Sequence, residues 1–177
     1  MKNYLYSPYE LALIFRYYAI DVVRIVEISE NIYRYDNAFI QPEYRHNQKK
    51  FILDVMDKIN YLNNQAQFEL EKADVDKDLS DFGLVNDNGN GDLEEKVFHL
   101  AFKELRIRIL YINKQGYAKV KLRTLLFRLG YKKRSPVVIN YIIDCLWFYH
   151  ISVSLRDNTP CEISKIGLDE MIVFRVV

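Results

Sequence analysis

Lys132-Lys133-Arg134 is the densest cluster of cations in the chain, and Ser135-Pro136 follows it directly. Lys119, Lys121, Arg123 and Arg128 precede it closely, and Arg156 and Lys165 come after. Ammonium and guanidinium groups grouped this way can pair with phosphate oxygens, or with carboxylates on a protein. Asn140 and Tyr141 follow within the next stretch, and an asparagine can make a paired hydrogen bond to adenine. Asp144, a few residues on, repels phosphate. The segment Val137 to His150 carries no Lys or Arg, and its outward positions read Val137, Asn140, Tyr141, Asp144 and Phe148. Exposed aromatics of that kind fit a protein surface better than a nucleic acid.

Other chemistries find less support. Asn86-x-Asn88-x-Asn90-Gly91 has the alternating oxygens and the glycine of a calcium loop, but Asn replaces the first acid and Val97 the closing Glu. Asp74-x-Asp76-x-Asp78 lacks both the glycine and the closing acid. His46, His99, His150, Cys145 and Cys161 show no paired zinc spacing, so no metal or cofactor is expected. Glu94-Glu95-Lys96 is an acid-x-lysine string without the preceding strand and Asp that a nuclease places beside it, and no phosphate loop or nucleophile motif occurs. No catalytic residue is assigned, and the chain reads as a non-enzyme.

Periodicity sets the elements that carry these groups. Leu122, Leu125, Leu126 and Leu129 step at helical spacing and Gly130 stops them. Ser135 and Pro136 open a second helix, with Ile139, Ile142, Leu146 and Tyr149 on its apolar side. Cys145 falls on that side, as a small hydrophobe suited to a reducing compartment. Ile151, Val153 and Leu155 alternate with polar residues, and after a polar loop Met171 to Val177 forms a second strand. A helix from Asp92 to about Asn113 precedes all this, and Tyr117 to Val120 makes a short strand.

Leu122-x-x-Leu125-x-x-x-Leu129-Gly130, the Ser-Pro-capped helix and the strand from Ile151 resemble the winged helix-turn-helix superfamily over the last third of the chain. The resemblance implies a nucleic-acid surface made by Lys119, Lys121, Arg123, Arg128, Lys132, Lys133, Arg134, Ser135, Asn140, Tyr141, Arg156 and Lys165, with duplex DNA the favoured ligand and RNA an alternative. The superfamily also serves protein docking, so the fold alone does not choose.

The first half differs in character. Residues 1–95 hold 10 Lys/Arg against 18 Asp/Glu, and residues 96–177 hold 15 against 6. Ser7-Pro8-Tyr9-Glu10 is a capping box, and the pattern predicts one long helix from there to about Tyr33, apolar nearly all round. A second helix, Asn47 to about Lys72, carries Ile52, Val55, Ile59, Leu62, Ala66 and Leu70 on one face. So much apolar surface predicts a homodimer, or a protein partner, through the first two helices. Asp74 to Gly91 is an acidic, then Asn/Gly-rich connection that could fold over the basic surface and compete with DNA. Arg16, Asp21 and Arg24 interrupt the first apolar run, which argues against a signal peptide or membrane span and for a cytoplasmic protein.

The expectation is therefore a mainly α chain: an acidic helical assembly module over residues 1–85, a linker over 86–91, and a basic winged helix with a small β-ribbon over 92–177. The expected role is a DNA-binding regulator or adaptor. The alternative is a non-enzymatic subunit of a larger complex that uses the winged helix to dock on protein.

Overall fold

The computed structural model describes residues 4–68 and 91–177. The chain divides into two compact units, Met1–Leu79 and Ser80–Val177. The architecture is mainly α, with one small antiparallel sheet.

In the first unit, α1 (Pro8–Tyr17) opens on the capping box: Ser7 Oγ accepts from the Glu10 amide, and the Glu10 carboxylate accepts from the Ser7 amide. The single helix expected from here to Tyr33 is instead two, α1 and α2 (Val22–Tyr35). The break has a clear local cause. Ala19 adopts φ 48°, the Ala19 amide donates to Arg16 O, and the Ile20 amide donates to Phe15 O. That pair of bonds is a Schellman stop with alanine in the place glycine usually takes. Asp21 then restarts the chain as N-cap, its carboxylate accepting from the Arg24 amide at 3.0 Å. Alanine in the left-handed region is strained by roughly 1–2 kcal/mol. Ala19→Gly should therefore raise the stability of the unit by about 0.5–1 kcal/mol, allowing for the entropy glycine adds to the unfolded chain. Denaturant melts read by circular dichroism test this, and an unchanged or lower midpoint would refute the strain.

The break lets both short helices lie against α3 (Gln48–Phe68). Leu11, Ile14 and Phe15 from α1, Ile25, Ile28 and Ile32 from α2, and Phe51, Val55, Ile59 and Leu62 from α3 are all buried. Phe51, not the neighbouring Ile52, heads the buried face of α3. Arg16 Nη1 donates to Leu62 O at 3.1 Å and ties the end of α1 to α3. Internal packing covers part of the apolar circumference that suggested a partner, while Val22 and Val23 remain exposed.

In the second unit, α4 (Gly91–Ile107) runs into a π-helical turn, Arg108–Ile112, closed by the Asn113 amide donating to Arg108 O at 2.7 Å. Then come β1 (Ala118–Lys121), α5 (Leu122–Arg128), α6 (Pro136–Phe148), β2 (Ile151–Ser154) and β3 (Met171–Val176). The sheet order is β1-β3-β2, both pairings antiparallel. The last strand lies in the middle, so Phe174 is opposite Ala118 on one side and Val153 on the other. α5 ends in a full Schellman stop at Gly130, φ 83°, with the Gly130 amide on Phe127 O and the Tyr131 amide on Leu126 O. Ser135 Oγ caps α6 by accepting from the Val138 amide at 3.3 Å.

α6 buries Val138, Ile139, Ile142, Cys145 and Leu146, as its periodicity requires. Its C-terminal end is anchored to α4. The Tyr149 side chain is fully buried, its hydroxyl lies 3.0 Å from His99 Nδ1, and its carbonyl accepts from Arg106 Nη1 at 2.7 Å. These bonds fix the orientation of α6, and with it which side chains face out.

Candidate interaction surface

The outward side of α6 carries several exposed apolar side chains. Phe98 on α4 lies 5.3 Å from the Tyr141 ring, and His99 sits edge-on to Phe148 at 6.3 Å. Those contacts take up one flank, so Tyr141 and Phe148 belong partly to the helix packing. Val137, Asn140, Tyr141 and Asp144 are exposed, and along one side of them runs an open strip of Pro136, Asn140, Ile143 and Trp147. Trp147 is 81% exposed, Val137 63% and Ile143 47%. Trp147, the only tryptophan in the chain, stands outward next to Phe148, which was expected there. The signal was present in the 136-140-143-147 spacing, which lies opposite the buried set.

The cations expected to meet phosphate are distributed unevenly. Arg123 is committed to Asp169 through two bonds, Nε to Oδ1 at 3.0 Å and Nη2 to Oδ2 at 2.8 Å. Arg134 Nη1 donates to two loop carbonyls, Ile163 O at 3.2 Å and Ile166 O at 2.7 Å. Lys165 pairs with Glu162 at 2.9 Å. Lys119 lies over the Tyr117 ring at 4.8 Å. Ser135 Oγ is spent on the helix cap. Lys121, Arg128, Lys132, Lys133 and Arg156 are exposed. Asn140 is exposed on the α6 strip.

The β2–β3 loop, residues 155–170, is stapled to the start of α5. The Leu122 amide donates to Glu170 O and the Arg123 amide to Leu168 O at 2.7 Å, alongside the two arginine ties. The loop carries Asp157, Glu162, Asp169 and Glu170 against Arg156 and Lys165, so it is net acidic. Together α6 and this loop present more carboxylates than cations.

Arg123 holds the Asp169 carboxyl below the ordinary range, first by hydrogen bonding and then by charge. The sign follows from linkage. A depressed carboxyl pKa contributes to the fold above the unfolded-state pKa and loses that contribution as pH falls through the folded value. Both groups are well exposed, so the effect is local. Arg123→Gln should return the Asp169 midpoint upward to that of an unpaired aspartate, as read by carboxyl NMR titration. An unmoved midpoint would refute the pairing.

The Asn86–Gly91 and Asp74–Asp78 strings considered for calcium, and the 74–91 connection considered as a cover for the basic surface, lie wholly or mainly outside the described residues. Among the described residues no group of three or more His, Cys, Asp or Glu is placed to hold a metal. Both cysteines are free thiols, Cys145 buried and Cys161 half-buried. No described helix is long and apolar enough to cross a membrane. No protein-family model matches the chain, and neither a curated protein nor a solved structure matches it.

Proposed function

We propose that residues 91–177 form a winged helix used for protein docking, and that the chain is a non-enzymatic adaptor. The order helix, strand, helix, helix, strand, strand and the sheet order β1-β3-β2 support the winged-helix reading. One observation carries the docking reading: Trp147 stands 81% exposed on an α6 strip without Lys or Arg. A large indole left in water with Ile143 and Val137 close by is the composition of a binding hot spot. A helix inserted in a DNA groove would bring Asp144 toward phosphate instead. The acidic loop adds to that mismatch.

A second reading, duplex nucleic acid, rests on Arg128, Lys132 and Lys133, which are exposed at the end of α5 and in the turn before α6. Self-association through the first unit would have chiefly Val22, Val23 and Tyr35 on α2 and Leu53 and Tyr61 on α3 to work with.

A photo-crosslinking residue placed at 143 in the full chain, in cells, separates these readings. The expected product is a discrete protein adduct that resists nuclease. A nuclease-sensitive adduct would support the second reading. So would salt-steep, micromolar duplex binding that Lys132→Glu with Lys133→Glu abolishes.

A further inference from the structure

We infer that the partner of α6 presents an amphipathic helix, lying parallel to α6, with carboxylates in its first turn and a cation near its last. The inference rests on the docking reading above and adds the chemistry of the occupant. Its first support is spacing. Pro136, Asn140, Ile143 and Trp147 are all exposed and follow one another by four, three and four residues. That is the core repeat of paired helices, in which each side chain enters a hole on a facing helix. A strand, with its period of two, would meet only part of such a strip. Asn140 is the one polar member, and a lone asparagine in a helix seam fixes register because its amide needs a partner there.

The second support is charge. Lys132 and Lys133 are exposed at the N-terminal approach to α6, and Asp144 flanks the strip toward its other end. A matching helix therefore carries acids beside the lysines and a base beside Asp144. Helices favour acids in the first turn and bases in the last, because of the backbone dipole. A helix with that distribution matches α6 when the two run in the same direction.

A second copy of this chain fits less well. Parallel self-pairing would set Asp144 beside Asp144 and Lys133 beside Lys133. Antiparallel self-pairing about the middle of the strip leaves Asp144 nearly two turns short of the opposing Lys133, at 3.6 residues per turn.

The test uses the full chain and two cross-linked helical peptides of about 14 residues, with identical composition and a heptad apolar seam. One carries Glu in its first turn and Lys in its last, and the other is reversed. Trp147 is the sole tryptophan, so its emission reports occupancy of the strip directly. The Glu-first peptide should shift Trp147 emission to the blue and bind about tenfold more tightly than the reversed one. The preference should invert in Lys132→Glu with Lys133→Glu, both exposed positions that leave the core intact. Equal affinities would overturn the parallel arrangement while leaving α6 as the docking site. No emission change with either peptide would overturn the docking site as well. An emission change with duplex DNA or RNA alone would assign the strip to nucleic acid.

Discussion

Phe174→Ala is expected to cost about 3–5 kcal/mol, the range for removing a fully buried aromatic ring. Phe174 has no exposed surface and sits on the central strand of the sheet. Its cross-strand neighbours are Ala118 and Val153, both smaller. They cannot fill the space a missing ring leaves, so the cavity persists and adds to the lost transfer free energy. The same geometry explains why alanine occupies position 118, only 3% exposed and opposite the ring. Enlarging it, as in Ala118→Leu, should overpack the site and cost about 1–3 kcal/mol. Thermal melts of the full chain followed by circular dichroism check both, with Val177→Ala, 81% exposed, as a neutral control. A loss under about 1 kcal/mol for Phe174→Ala would mean that the neighbours close the space the ring leaves.

The elements that could be read from the chain are those whose ends carry their own chemistry. Ser7 with Glu10 and Ser135 with Pro136 announce helix starts through side-chain caps, and both caps are formed. Gly130 announces a stop because its backbone takes φ 83° without penalty. The stop at Ala19 gave no such sign, since alanine is ordinarily the best helix former. Its only marker was Asp21, a good cap in the middle of an apolar run, and tertiary packing of α1 and α2 on α3 decided the matter. The cations of the candidate surface were legible as a cluster, but not their commitments. Arg123 finds Asp169 and Arg134 finds the Ile163 and Ile166 carbonyls across more than 25 residues of chain, distances that no local pattern encodes. Four of the five outward positions expected on α6, Val137, Asn140, Tyr141 and Asp144, are exposed. Phe148 alone is half-buried, because α4 supplies His99 beside it, while Tyr141 keeps 41% exposure next to Phe98.

Trp147→Ala should cost the docking interaction about 2–4 kcal/mol, a loss of roughly 30- to 1,000-fold in affinity. It should leave the fold within about 0.5 kcal/mol of the parent, because an indole 81% exposed packs against little of its own unit. That contrast is what makes the residue diagnostic. A buried tryptophan would lose stability on truncation, and a solvated one with no ligand would lose nothing. Only a residue held out for a partner loses binding without stability. Phe127 provides the internal comparison. It is 65% exposed on α5 and not part of the α6 strip, and Phe127→Ala should leave both stability and docking unchanged. The partner isolated by crosslinking at 143 supplies the ligand, and calorimetric titration with each variant supplies the affinities. If Trp147→Ala and Phe127→Ala weaken binding equally, the interaction is diffuse surface adhesion and α6 has no privileged role. If Trp147→Ala is silent while reversal of Lys132 and Lys133 abolishes binding, the basic turn carries the recognition. The exposed indole on α6 would then be incidental to it.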